Sequence, residues 1–507
     1  MFSPFLVKGL ALQAVLGSAA ASTLLFQGGT IISWDVSTNF LDIIRNGSLL
    51  IQDDRVVGIY PAGKEISSIQ ALDNSTEIID ATDKIITPGF IDTHRHGWQT
   101  AFRTLGSNTS LWEYFNRYGE FSAEGLMDAE DVYIGELAGL YEALNAGVTT
   151  ILDHAHHTWS DETSKAGLQA SVDSGARVFW AYAFHELQNY TFEEQLSNFQ
   201  DIAESAVFEG SPTTLGIAYD GFFTADKKTI APIARLISDY NVSVITTHFL
   251  GGPWGIDNSP SVVHELGLLN ISTPVVFSHA SFIELNDYEL LRQTNQHISI
   301  TPESEMHYGQ SHPTSHLVLD QASIGVDTHF TFSTDILTQA RMWLQRVRSI
   351  FYTDSLDHWR IPTSNAMSAN QAFLLATRNG ALSLRRNDIG ILAPGAKADI
   401  VVWDGTSPSL LGWVDPVAAV MLHASVGDID HVLVDGQFKK RDGKLTVTGY
   451  EGVKKRFLKS ARGVQDKLIN TPLPQPEGLW LSGAELDKPV QVDVVRGNGT
   501  GYGPNWL

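Results

Sequence analysis

The chain has 507 residues, 43% of them hydrophobic and 18% charged, enough to bury one large core and a smaller second one. Its formal net charge of −23 excludes nucleic acid and anionic membrane as natural partners, because phosphate binding needs a basic surface. With no cysteine there is no disulfide, thiolate ligand or cysteine nucleophile, so any metal must rest on His, Asp or Glu.

The chain opens on Lys8, an apolar run from Leu10 to Leu16 and the small residues Ser18-Ala-Ala-Ala21, the pattern of a secretory signal peptide (1–21) cleaved near Ala21. That run is too short to span a bilayer, and no later stretch reads as transmembrane. Sequons at Asn46, Asn74, Asn108, Asn189, Asn241, Asn270 and Asn498 agree with a secreted glycoprotein, although chance alone supplies some of them.

Short β-rich pieces follow at 23–34, 48–60 and 77–80, and the same texture returns only at 398–404 and 431–438. One small β-sandwich assembled from both ends of the chain, 22–84 and 386–449, explains why neither half looks self-sufficient. Between them, strands alternate with helices. Strands are predicted at 85–94, 148–153, 177–184, 214–220, 243–249, 274–280, 297–301 and 329–334, with helices such as 128–145, 192–208 and 338–351. Eight such units within 85–385 match the count and size of a (β/α)8 TIM barrel, whose chemistry sits where strands end in loops. The tail, 450–507, carries a basic amphipathic stretch, then Pro472, Pro474 and Pro476, and reads as packing and solvated surface.

The first barrel strand ends in Asp92-Thr-His-Arg-His96. Side chains alternate along a strand, so His94 and His96 point the same way and can chelate one transition-metal ion. An H-x-H pair alone is as readily two surface histidines, so its weight depends on the other strand ends. The fifth predicted strand ends in His248, the sixth in His279 and the eighth in Asp335, each a polar residue closing a run of β-branched or aromatic ones. A structural hydrogen-bonding role is the alternative for any one of them. Jointly they place four histidines and an aspartate at one barrel mouth. Around it, Asp153-His-Ala-His-His157 offers His156 to a substrate or to structural hydrogen bonds, and Glu303, Glu305 and His307 follow the seventh strand. Neither a Walker loop nor a G-x-S-x-G elbow is present.

In these stretches the sequence resembles the amidohydrolase superfamily of metal-dependent hydrolases, in its cytosine deaminase and chlorohydrolase-like branch. The residues that carry the resemblance are Ile85-Ile-Thr-Pro-Gly-Phe-Ile-Asp-Thr-His-Arg-His96, Asn145-Ala-Gly-Val-Thr-Thr-Ile-Leu-Asp153, Phe332-Ser-Thr-Asp335 and Ile389-Gly-Ile-Leu-Ala-Pro-Gly-Ala-Lys-Ala-Asp-Ile-Val-Val-Trp-Asp404. It implies an α/β (β/α)8 barrel with a composite β-sandwich, and one divalent ion among His94, His96, His248 and Asp335. Zn²⁺ is the first choice, and Fe²⁺ or Mn²⁺ also suit the ligands. It further implies that Asp335 accepts the proton of the attacking water and that His279 donates to the charge developing on the substrate. A second metal in this superfamily usually needs a modified lysine on the third or fourth strand. None occurs at 177–184 or 214–220, so a mononuclear site is expected.

Related enzymes contact substrate in the first loop, which here offers Trp98, Gln99 and Arg103. Trp98 is alternatively a lid packed on Trp112 and Phe115. Deaminases of this branch carry a glutamate three residues after the fifth-strand histidine, but this chain reads His248-Phe-Leu-Gly251. Glu303 or Glu305 could supply the missing proton shuttle. The expectation is therefore a hydrolase of a small molecule, acting by metal-activated water on a carbon–nitrogen bond, whether amide, cyclic amide or amidine-like carbon. Decarboxylase or lyase chemistry on the same metal is the alternative, with N-heterocycle deamination behind it. A homodimer is common in the family.

Overall fold

The computed structural model describes residues 23–63, 72, 75–310, 314–472 and 474–489. The expected signal at 1–21 and the sequons at Asn74 and Asn498 lie outside them.

Nine strands form the smaller sheet. Five come from the N-terminal side: β1 (Thr23–Asp35), β2 (Phe40–Gln52), β3 (Arg55–Tyr60), β4 (Glu77–Asp80) and β5 (Ile85–Pro88). The others follow the barrel, whose strands are β6 to β13: β14 (Ile400–Trp403), β15 (Ile429–Val434), β16 (Gln437–Arg441) and β17 (Lys444–Leu445). The order is β17-β16-β15-β14-β5-β1-β2-β3, with β4 also on β1, so the two ends of the chain meet where β14 runs antiparallel to β5. Apolar residues from both ends, including Phe26, Ile31, Leu49, Ile86, Ile400 and Leu433, share one core there.

The predicted strand 85–94 is two strands. Ile85–Pro88 belongs to the small sheet, and the barrel begins with β6 (Phe90–Arg95). Gly89 is the joint: its N–H donates to the Asp399 carbonyl at 2.9 Å, and a Cβ there would lie 2.1 Å from Thr149 Oγ1, so only glycine fits.

The barrel continues through β7 (Val148–Ala155), β8 (Arg177–Phe184), β9 (Thr214–Tyr219), β10 (Ile245–Leu250), β11 (Val275–Ser281), β12 (His297–Ile300) and β13 (Ala322–Ile324), all parallel and in sequential order. Every residue of β7 and β8 is buried, as expected for strands covered on both faces. Closure comes just beyond β13, where the Val326 and Asp327 N–H groups donate to the His94 carbonyl at 3.0 and 2.8 Å. A polar layer crosses the interior, with Thr93 Oγ1 bonded to Ser299 (2.7 Å) and Ser323 (2.9 Å).

The eighth strand is therefore Ala322–Ile324, not the predicted 329–334. The β-forming residues of 329–334 serve a different cluster: Phe330 packs against Phe102 and Tyr118 of the first loop, and its carbonyl accepts the Thr104 N–H at 3.1 Å. Tertiary packing has used the propensity of that stretch without pairing it into the sheet.

Helices shield the barrel. Ala129–Asn145 is capped by Asp128, which accepts the Asp131 N–H at 2.9 Å. The helix Tyr450–Ile469 lies over the first loop, burying Ala461, Val464 and Leu468, with Gln465 Nε2 donating to the Ala101 carbonyl at 2.9 Å. Among the described residues no helix is long and apolar enough to cross a membrane.

Candidate metal centre

Four imidazoles from three strands converge at the C-terminal mouth of the barrel, and in each the outward nitrogen is already engaged. His96 Nδ1 donates to the His154 carbonyl (3.0 Å), His248 Nδ1 bonds Asp220 Oδ2 (2.8 Å), His94 Nδ1 meets Ser278 Oγ (2.8 Å) and His279 Nδ1 meets Thr301 Oγ1 (2.8 Å). Anchoring Nδ1 fixes ring orientation and turns Nε2, with its lone pair, to the interior.

Those inward nitrogens surround Asp327. Its Oδ1 lies 3.1 Å from His96 Nε2 and 3.4 Å from His94 Nε2, while Oδ2 lies 4.0 Å from His279 Nε2. His248 Nε2 stands 3.2 Å from His96 Nε2. Ligands about 2.0–2.2 Å from a tetrahedral ion sit about 3.3–3.6 Å from one another, so this spacing fits one divalent cation. His94 Nε2 is buried and has no hydrogen-bond partner, as a ligand nitrogen would be before its ion binds.

Charge agrees with this arrangement. Burial opposes ionisation of Asp327, but the imidazoles of His94 and His96 beside it hold its carboxyl well below the usual range. Burial keeps His94 and His279 neutral, which is the ligand form of imidazole. The backbone is strained at this point: His279 has φ +69° and the next residue, Ala280, +52°. Asp92, in the same motif as His94, accepts the Val326 N–H at 3.0 Å and binds Arg95 at 2.8 Å, tying the first strand to the closing segment that carries Asp327.

The carboxylate is thus Asp327, and the expected roles of Asp335 are corrected. Asp335 caps the helix Ile336–Asp357: Oδ1 accepts the Leu337 N–H (2.9 Å) and Oδ2 the Thr338 hydroxyl (2.7 Å). Ser333-Thr-Asp before an amphipathic run is a helix start, and the sequence reading took it for a strand end. Asp327 was missed because β13 is three residues long. Its one signal is Gly325-Val-Asp327 after an apolar Ala-Ser-Ile, with a glycine where a Cβ would meet His94 N at 2.7 Å.

Glu303 is not at the centre. It accepts from Gln339 Nε2 (2.9 Å) close to Asp335, and burial pushes its carboxyl up to about 7. Glu305 stands behind His279, accepting from Thr301 N (2.7 Å) and Thr301 Oγ1 (3.1 Å), 3.6 Å from His279 Nδ1. It therefore orients His279 and does not face the cavity as a shuttle. His307 bonds the Gly106 carbonyl (3.2 Å) and packs on Tyr308. Trp98 is wholly buried edge-on to Trp159 and Phe102, so it is core of the first loop; its neighbour is Trp159 where Trp112 was expected. Gln99 spends its amide on Tyr114 OH (2.9 Å) and the Tyr118 carbonyl (3.1 Å). His156 does face the centre, stacked on His96 with ring centroids 4.1 Å apart.

The sequence reading did not single out the groups beside it. His154 Nε2 lies 3.4 Å from Asp220 Oδ2, and Glu120 Oε2 lies 3.6 Å from His156 Nδ1. Asp220 is 32% and His248 14% exposed, against 2% or less for His94, His96 and His279, so approach to the centre is past this flank.

A closed parallel barrel with imidazoles and a carboxylate gathered at its C-terminal mouth defines a metal-dependent hydrolase of the (β/α)8 class. The chain belongs to the amidohydrolase family, whose model matches residues 85–439. It is 25% identical to a 5'-deoxyadenosine deaminase of Methanothermobacter thermautotrophicus over 421 residues, 80% of this chain and 91% of that one. It is also 25% identical to a 5-methylthioadenosine/S-adenosylhomocysteine deaminase of Pyrococcus horikoshii over 459 residues, 86% of this chain and 99% of the other. Among solved structures it resembles a zinc-bound adenosine deaminase from Xanthomonas campestris, with TM-score 0.74, 14% identity and coverage of 89% and 99%. It likewise resembles a zinc complex of atrazine chlorohydrolase from Arthrobacter aurescens, with TM-score 0.72, 17% identity and coverage of 86% and 100%.

Proposed function

We propose that this protein hydrolyses a carbon–nitrogen bond at an amidine-like or cyclic-amide carbon of a small N-heterocycle, using one zinc ion held by His94, His96, His248 and Asp327. The observation that carries the reading is the convergence of the inward imidazole nitrogens on Asp327. The relatives named as deaminases act at such a carbon by their names, and none supports decarboxylase or lyase chemistry.

Bound there, the ion would supply Lewis acidity, lowering the pKa of water and polarising the electrophilic carbon. The chain's own groups do the rest. Asp327, ionised and held by the Ser304 hydroxyl on Oδ2, accepts the proton of the attacking water. His279 presents Nε2 on the Oδ2 side of Asp327, with Nδ1–H donating into a Thr301–Glu305 chain; neutral at rest, it takes up on Nε2 the proton that Asp327 has received from water and then donates it to the atom on which charge develops. Gly251, where deaminases of the branch carry glutamate, brings no proton shuttle. Protonation of the leaving nitrogen therefore falls to Asp327 and His279.

The test is a product assay. Purified enzyme incubated with adenosine-type nucleosides, triazines and cyclic amides should release ammonia or open a ring, lose activity to a chelator and regain it with Zn²⁺. Carbon dioxide or an alkene as product would contradict the assignment. We also assign secretion and glycosylation, supported by the signal-like segment 1–21 and by exposed sequons at Asn46, Asn108, Asn189, Asn241 and Asn270. N-terminal sequencing of protein recovered from medium, beginning near Ser22, would bear this out. The homodimer expected from the family is tested by light scattering.

A further inference from the structure

Beside the central group lies a second set of ligand-type atoms that the proposed reaction does not use. It is built from a second H-x-H pair, His154 and His156 at the end of β7, and from Asp220 just after β9, with Glu120 of the first loop standing against His156. His154, His156, Asp220 and His248 bring ligand atoms within 4.8 Å of one another.

Three features mark this cluster as a place for a cation. First, its nitrogens are free. Both ring nitrogens of His156, which is 3% exposed, and Nδ1 of His154, which is 1% exposed, have no hydrogen-bond partner. A buried imidazole with neither nitrogen satisfied costs free energy unless something else fills the role. Second, the spacing suits a metal: His154 Nε2 to Asp220 Oδ2 is 3.4 Å and His156 Nδ1 to Glu120 Oε2 is 3.6 Å. Both are close to the edge of a ligand tetrahedron. Third, the charge is unbalanced. Among the described residues neither Asp220 nor Glu120 pairs with a lysine or arginine, and their only ion-pair neighbours are histidines. With Asp327 there are three carboxylates in one pocket, against two positive charges from a single divalent ion.

We propose that His154, His156 and Asp220 form a second site for a divalent first-row metal ion, with the Glu120 carboxylate beside His156 adding negative charge and zinc favoured by imidazole and carboxylate ligands. Asp220 links the two sites, because Oδ2 accepts His248 Nδ1–H while still facing His154. No lysine is needed for this arrangement, so the absence of one on the third and fourth strands does not restrict the chain to a single ion. The inference rests on the central site only for its neighbour, and the two can fail separately.

The experiment is metal analysis of the full chain after dialysis against metal-free buffer and loading with Zn²⁺, alongside calorimetric titration. Wild type should hold two equivalents. The double variant His154→Asn/His156→Asn should hold one, with its melting transition intact. His96→Asn/Asp327→Asn should also hold one. One equivalent in wild type with no second binding event, or two or none in the His154/His156 variant, would overturn the second site. Two equivalents in the His96/Asp327 variant would overturn the central site instead. Should the His154/His156 variant fail to fold, Glu120→Gln replaces it, with the second equivalent bound at least tenfold more weakly as the expected result and unchanged affinity as the contrary one.

Discussion

Gly325→Ala offers a sharp test of how the fold delivers the carboxylate. Gly325 follows the three-residue strand β13 and lies against the first barrel strand. A Cβ built there would stand 2.7 Å from His94 N, 2.9 Å from His94 Cβ and 2.9 Å from His94 O. Ordinary contact needs about 3.5–4.0 Å, so the backbones must separate by roughly 0.5–1 Å. None of the three atoms is the end of a flexible side chain that could swing away. Overpacking of this kind costs about 1–3 kcal/mol. The same displacement moves Asp327, two residues on, away from His94 and His96, and a shift of that size in a ligand's support typically costs about 10–100-fold in metal affinity. Thermal unfolding of the metal-free protein and competition of the loaded protein with a zinc chelator measure the two effects separately. A Gly325→Ala protein that melts as wild type and binds zinc equally tightly would refute the close approach of β13 to His94.

Asp327→Asn should lower kcat by about 10²–10⁴-fold through loss of the proton acceptor, whereas Asp335→Ala should keep metal and turnover and lose only about 1 kcal/mol of helix capping. Steady-state kinetics on the pair would invert if the carboxylates were misassigned. Glu305→Gln should reduce kcat with little change in KM, because it weakens the chain that orients His279; an unchanged kcat would detach Glu305 from the site. Asp153, behind the first strand beside Glu136, is pushed up to about 7 by burial. A carboxyl raised in the fold contributes stability that is fully present below its unfolded value of about 3.9 and is lost as pH rises to about 7. Asp153→Asn should therefore flatten the pH dependence of unfolding between about pH 4 and 7, and an unaltered slope measured by denaturant titration would count against it.

Much of the site was legible because it lies on long strands. His94, His96, His248 and His279 each end a clear run of β-formers, and the return of β texture after residue 397 announced a sheet shared by both ends of the chain. The failure at the eighth strand has a definite cause. Ala322–Ile324 is too short to register as a periodic run, while His329-Phe-Thr-Phe-Ser-Thr334 imitates one, although its aromatic side chain at 330 packs with the first loop. Asp335 then seemed to end a strand when it begins a helix. Trp98 and Gln99 stand beside the metal motif in sequence, yet the 3₁₀ turn Gly97–Phe102 directs both into the core. Glu120 gave no signal, since its proximity depends on how the first loop folds over the mouth, while His154 and Asp220 stood at or beside predicted strand ends without being singled out.

The most direct measurement is anomalous diffraction at the zinc absorption edge from crystals of the loaded protein. The account predicts a peak about 2.0–2.2 Å from the Nε2 atoms of His94, His96 and His248 and from a carboxylate oxygen of Asp327. A peak on Asp335, or none within reach of these four side chains, would contradict it.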